Sequence, residues 1–139
     1  RWSSGTGGLY FSLGLRPRAA PARLARLSLR AGRLLARAIA RASGLKTRVK
    51  PPNDVLARAP NSSDYRKVCG ILIEASGGER RLDWVVLGIG VNVRNRIPPA
   101  LSAAASLSEL SGNPLDPDIL FKKILRALRS ELGGNSPWN

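Results

Sequence analysis

Histidine and methionine are absent from the 139 residues, and cysteine occurs once. Without histidine, no imidazole is available to activate a cysteine or serine nucleophile, and zinc sites of the usual nitrogen and sulfur type are disfavoured. A single cysteine allows no internal disulfide. Cys69 lies in an apolar run, where it reads as a small buried hydrophobe in a protein kept in a reducing compartment. No apolar stretch approaches the roughly 18 residues needed to cross a bilayer, so the chain is read as soluble and cytoplasmic.

Positive charge is plentiful by contrast. The formal net charge is +14, and residues 1–50 hold twelve Lys or Arg with no Asp or Glu. Arginines 23, 26, 30, 33, 37 and 41 recur every three or four positions, with Leu24, Leu27, Ala31, Leu34, Leu35, Ala38 and Ile39 between them. This spacing predicts an amphipathic helix from about Pro21 to Ser43, with proline near its start and Gly44 at its end. A nucleic-acid or membrane surface, a transit peptide and a solvated outer face compete for the stripe. The solvated face is favoured, because no aromatics interleave the arginines and a strand-like segment precedes them. A basic surface can still steer an acidic protein partner or ATP.

At this length one core is expected, with roughly two thirds of the unfolded surface buried on folding. The opening Arg1-Trp2-Ser3, without an initiator, reads as a fragment or a processed product. Leu9 to Leu15 alternates and ends at Arg16-Pro17, as a strand does. Leu45 to Val49 is a short strand that must stop before Pro51-Pro52, which leaves Lys50 at its exit. Residues 58–66 form a polar loop, and Val68 to Ala75 suits a central strand. Ser76-Gly77-Gly78 signals a hairpin, and Trp84 to Val93 returns as the antiparallel partner. A Pro- and Ser-rich connection from Pro98 leads to a second amphipathic helix, Asp118 to Leu132, with Ile119, Leu120, Ile124, Leu125 and Leu128 on its inner side. No internal repeat is present. The pattern predicts an α+β layered fold, a mixed but mainly antiparallel sheet covered by helices.

Charged groups collect at the ends of these strands. Lys50-Pro51-Pro52-Asn53-Asp54 precedes Lys67-Val68-Cys69-Gly70-Ile71-Leu72-Ile73-Glu74, and Gly88-Ile89-Gly90-Val91-Asn92 follows. Lysines suit chemistry that brings two anions together, although a cation flanking a hydrophobic strand is the competing reading for Lys67 and for Lys50. Asn53-Asp54 is also a turn signature. Glycine inside a strand is unfavourable unless a ligand or a backbone must come close, so Gly70, Gly88 and Gly90 suggest a floor for a flat ring, with a β-bulge as the alternative. Glu74 is expected to pair with a nearby arginine.

Taken in order, Trp2, Gly7-Gly8-Leu9-Tyr10-Phe11-Ser12, Lys50-x-Pro52-Asn53-Asp54, Lys67-x-x-Gly70-Ile71-Leu72-Ile73-Glu74 and Gly88-Ile89-Gly90-Val91-Asn92 resemble the catalytic domain of biotin protein ligases. The likeness is close over residues 1 to about 95 and looser at the terminal helix. It implies a class II synthetase-like fold and ATP-dependent activation of biotin to biotinyl-5′-AMP. It further implies transfer of the biotinyl group to a lysine of the biotin carboxyl carrier protein of a biotin-dependent carboxylase. By the same resemblance Lys67 bridges the biotin carboxylate and the α-phosphate, and Lys50 points to the phosphates. Asn53 contacts the nucleotide, Asp54 helps hold Mg²⁺, and Gly70, Gly88 and Gly90 line the biotin pocket. Trp2 lies near the nucleotide, and Asn92 bonds near the adenine or phosphates, with a structural turn role as its competitor.

On this reading residues 1–112 are part of the catalytic domain and 113–139 carry its C-terminal helix. The family's upstream Gly/Arg-rich loop and its following β-barrel domain are expected to be missing, which would leave this piece alone a poor enzyme. Pro51 replaces a usual tryptophan, and Gly5 stands where proline is typical. A homodimer is compatible with the likeness, and nucleic acid and membrane are not expected as partners. The alternatives are a lipoate protein ligase-like adenylating enzyme, or a basic non-catalytic module that binds nucleic acid or a carrier.

Overall fold

The protein was analysed as a computed structural model, which describes residues 4–133, 136 and 138. Among the described residues there are five strands and three α-helices, in the order β1 (Leu9–Leu15), α1 (Leu24–Ser43), β2 (Lys46–Lys50), β3 (Asp54–Arg58), β4 (Arg66–Gly77), β5 (Leu82–Val91), α2 (Leu107–Ser111) and α3 (Pro117–Leu132). The strands form one sheet in the order β1-β5-β4-β3-β2, and every ladder in it is antiparallel. Parallel pairing is confined to one isolated bridge, Lys67 with Ala104. The α+β layered fold expected from the sequence is therefore present, and the expected central strand, β4, lies in the middle of the sheet.

Helices α1 and α3 cover one face of this sheet. α1 begins from a single 3₁₀ turn, Pro21–Arg23, and stops at Gly44, whose φ of 72° lets its amide reach the Ala40 carbonyl at 2.8 Å. Leu27, Leu34, Leu35 and Ile39 point inward and are buried, while Arg23, Arg26, Arg30, Arg33, Arg37 and Arg41 are all exposed. The arginine stripe is thus an outer face. Gly32 lets the helix lie close on β2, since a methyl there would meet Val49 Cγ1 at 3.2 Å. α3 starts at an Asp116 cap that accepts from the amides of Asp118 and Ile119, with Pro117 in the first turn. It buries Leu120, Ile124, Leu128 and Leu132, and Phe121 meets Phe11 of β1 edge to face at 5.1 Å.

The structure departs from the sequence reading in four places. Ile119 is 54% exposed rather than on the inner side of α3, because the buried series 120, 124, 128 and 132 turns it about 100° away. Strand β3 was not expected, and it begins at Asp54 of the Asn53-Asp54 turn signature. Helix α2 lies within the connection after Pro98, held by a capping box in which the Ser106 hydroxyl accepts from the Glu109 amide. Glu74 is exposed on β4 and takes part in none of the ion pairs among the described residues.

Candidate active site on the open face of the sheet

Strand pleating turns alternate residues to opposite faces. On β5, Val85, Leu87, Ile89 and Val91 face the helices and are buried, so Val86, Gly88 and Gly90 face the other way. On β4, Cys69 and Ile71 are buried, while Gly70 is partly open and Leu72 is 61% exposed.

Register then aligns residues far apart in sequence. Lys50 pairs with Asp54, Asp54 with Gly70, Gly70 with Gly90, and Gly90 with Tyr10. One row thus crosses all five strands, about 19 Å at the usual strand spacing, and four of its five members are candidate residues. The adjacent row is Leu72, Gly88 and Ser12. The glycines of both rows leave a shallow trough, bounded by side chains at either end.

A cavity of about 640 Å³ lies over this trough, lined by Asn53, Lys67, Gly70, Gly88, Gly90, Tyr10, Ser12 and Leu72 among others. Five sequence candidates are therefore brought together. Lys67 Nζ lies 2.7 Å from Asp54 Oδ1, with 34% of the lysine side chain and 20% of the aspartate side chain exposed. Asn53 fixes the corner between β2 and β3 on β4: its amide nitrogen donates to the Ile71 carbonyl at 3.1 Å, and its own carbonyl accepts from the Ile71 amide at 2.9 Å. The Ser28 hydroxyl of α1 holds the same corner through the Pro52 carbonyl at 2.7 Å.

Lys67 is equally fixed along its backbone. Its amide donates to the Ala103 carbonyl at 2.8 Å, and its carbonyl accepts from the Ala105 amide at 3.0 Å. The preceding Arg66 ties the same loop down, with 2.6 Å contacts to Glu109 and to the Ala104 carbonyl. A lysine with its main chain held on both sides presents a well-placed cation.

Three of the described candidates, Asp54, Lys50 and Asn92, lie outside the cavity lining, and Asp54 borders it through its ion pair with Lys67. Lys50 is exposed at the end of the five-strand row. Asn92 is 5% exposed just past β5, where its side-chain oxygen accepts from Asn95 at 3.1 Å and its main chain joins Val68 and Leu107. Those bonds tie the end of β5 to β4 and α2. Trp2 lies outside the described residues.

Cys69 has no role in attack. Burial pushes its thiol up to about 12, Lys67 opposes this and Asp54 adds to it, so the sulfur is a neutral thiol at ordinary pH.

The sequence reading missed Tyr10 and Ser12. Their signal was the alternation of β1, which turns both toward the glycines. The Tyr10 hydroxyl accepts from the Gly5 amide at 3.0 Å and donates to the Gly5 carbonyl at 3.2 Å, holding the 4–8 segment, with Ser4, against the cavity. A side chain at Gly8 would overlap the Tyr10 ring where it now lies, so the glycine leaves room for the Tyr10 hydroxyl to reach Gly5.

Among the described residues no three His, Cys, Asp or Glu gather to hold a metal. Mg²⁺ bound through nucleotide phosphates keeps several waters and needs only one or two carboxylates, a demand that Asp54 can meet.

A model of the biotin/lipoate A/B protein ligase family matches residues 1–92. The bifunctional ligase/repressor BirA of Bacillus subtilis is 35% identical over 129 residues, which span 89% of this chain and 38% of that protein. A biotin–acetyl-CoA-carboxylase ligase of Paracoccus denitrificans is 32% identical over 124 residues, 84% of this chain and 49% of that protein. The biotin protein ligase of Aquifex aeolicus, solved in complex with biotin and ATP, superposes with a TM-score of 0.77 at 32% identity, covering 93% of this chain and 51% of that one. The chain thus spans half or less of the length of the curated relatives it matches.

Proposed function

Because the chain belongs to the biotin/lipoate A/B protein ligase family, we propose that its open sheet face binds biotin and ATP and joins them as biotinyl-5′-adenylate. The biotinyl group then passes to a lysine of a biotin carboxyl carrier protein. The observation that carries this reading is the meeting of the Lys67–Asp54 pair with the floor of Gly70, Gly88 and Gly90 at one cavity. Residues 1–112 then form part of a catalytic domain, 113–139 contribute its helix, and the protein works in the cytoplasm.

In the first step a carboxylate oxygen of biotin attacks the α-phosphorus of ATP, and the bond to the bridging oxygen of the β-phosphate breaks. Pyrophosphate leaves. Two anions must approach, and Lys67 lies between the glycine floor and the corner at Asn53, where its ammonium offsets their repulsion in the transition state. Substrate oxygens replace Asp54 Oδ1 as the partner of Lys67, and Asp54 would then be the carboxylate able to hold a Mg²⁺. That ion would supply charge neutralisation on the phosphates. Lys50, at the end of the five-strand row, faces the polyphosphate. The open trough accepts the flat ureido ring because Gly70, Gly88 and Gly90 carry no side chain, with Leu72 beside them and Tyr10 and Ser12 at the far end. In the second step the neutral amine of the carrier lysine attacks the acyl carbon and expels AMP. An amide forms, and the amine proton is released.

Biotin-dependent exchange of labelled pyrophosphate into ATP by the full-length protein tests the first step alone. Lys67→Ala is expected to slow exchange by about 10²–10³-fold, the usual loss when one stabilising donor is removed. Exchange that needs lipoate instead of biotin would move the chain to the other branch of its family.

A further inference from the structure

We infer that the basic cleft between α1 and α3, on the side of the sheet away from the glycine trough, is a docking groove for an acidic amphipathic helix of a partner protein. The groove has a volume of about 760 Å³. Its walls carry Arg37 and Arg41 from α1 and Lys122, Lys123 and Arg126 from α3, all exposed. Its single carboxylate, Glu131, is already paired with Arg30 at 2.9 Å. Among the described residues, five cations therefore share one channel whose lining holds no carboxylate besides the paired Glu131. Like charges held together this way repel one another and favour an anionic occupant.

The floor decides which anion. Ile119, 54% exposed, and half-buried Ala127 of α3 supply its open apolar surface, above Leu34 and Ala38 of α1, which are themselves buried in the core. A nucleic-acid duplex offers a charged convex surface and would leave such a floor uncovered. A single strand calls for aromatic stacking, and the lining has no aromatic residue. An amphipathic helix satisfies both surfaces, laying its apolar stripe on the floor and its carboxylates along the walls. The spacing also agrees. Arg37 to Arg41 and Lys122 to Arg126 are each one i,i+4 step, about 6 Å along the axis, which matches acidic residues at i and i+4 of a third helix.

The test is fluorescence anisotropy on the full-length protein with two labelled synthetic peptides of equal length and equal negative charge. One places Leu at i, i+3 and i+7 with Glu on its flanks, and the other has the same residues scrambled. The amphipathic peptide should bind at least about tenfold more tightly than the scrambled one. The pair Lys123→Glu and Arg126→Glu should weaken it about tenfold more, as two favourable exposed contacts become like-charge contacts. Ile119→Ser should weaken it several-fold. Arg26→Glu, on the same stripe outside the groove, should leave binding unchanged and controls for folding. Equal affinity for both peptides would overturn the proposal. So would tighter binding of a 20-base-pair duplex that the same groove substitutions weaken, which would make the groove a phosphate-binding surface instead.

Discussion

On strand β5, Val85, Leu87, Ile89 and Val91 turn toward α1 and α3 and are buried, whereas Val86, Gly88 and Gly90, interleaved with them, turn toward the cavity and stay partly open. On β4 the same pleat separates buried Cys69 and Ile71 from Gly70 and exposed Leu72. One face is filled with branched aliphatic side chains that exclude water. The other is stripped to glycine at its centre and ringed by Lys67, Asp54, Asn53, Tyr10 and Ser12. Stability and chemistry thus occupy opposite sides of the same strands, one residue apart. A substitution one position along a strand should therefore change which property it damages.

The largest contrast is expected between Leu87 and Leu72. Leu87→Ala removes a fully buried side chain and should cost about 2–5 kcal/mol in denaturant unfolding, and Leu87→Asp should prevent folding. Leu72→Ala should change stability by less than about 0.5 kcal/mol. Equal losses would erase the distinction between the faces. Gly90→Leu is the converse. It should abolish biotin binding by calorimetry while the thermal midpoint shifts little, because the new side chain enters the cavity and not the core. Unfolding by Gly90→Leu would show that the trough is closed in solution.

A smaller effect is expected at the pair that borders the cavity. Asp54→Asn removes the partner of Lys67 and the one carboxylate available to a phosphate-bound Mg²⁺, so pyrophosphate exchange should slow by about 10–100-fold with the fold intact. An unchanged rate would confine Asp54 to a structural part. The smallest effect belongs to Cys69. Its thiol, raised by burial from 9.0 to about 12, stays protonated in the folded chain while the unfolded thiol ionises. Its contribution is therefore complete below about pH 9 and is lost as pH rises toward 12. The difference in stability between the wild type and Cys69→Ala, followed from pH 8 to 11, should shrink or reverse. A constant difference would show that the sulfur reaches solvent.

Long periodic elements were legible in advance. The arginine stripe of α1, the continuous apolar run of β4 and the returning β5 all carry more than two periods of pattern, which leaves little ambiguity. Strand β3 was not legible. Its five residues follow two prolines, and it is a strand only because β2 and β4 supply ladder partners on either side. Helix α2 is a single turn and a half whose one local signal was Ser106-x-x-Glu109. Ile119 was misplaced because it is apolar and adjacent to the true inner series, and only the packing of α3 shows that it stands largely exposed. Among the site residues, Lys67, Asn53 and the three glycines stood out because their types are out of place in or beside strands. Tyr10 and Ser12 are ordinary strand residues, and the bond between Asn92 and Asn95 is a tertiary detail that local pattern does not show.

The sequence by itself determined that this chain makes an α+β layer, which residues fill its core, and which lysines, amide and carboxylate had no structural reason to gather. Local pattern suffices there, because the helical and strand periods are properties of neighbouring residues. Only the tertiary structure decided that Lys50, Asp54, Gly70, Gly90 and Tyr10 form one row across five strands. It likewise decided that Lys67 is held against Ala103 and Ala105, and that Arg37 and Lys123 face one cleft. Those relations depend on strand register and helix packing, which are fixed by contacts between segments distant in the chain.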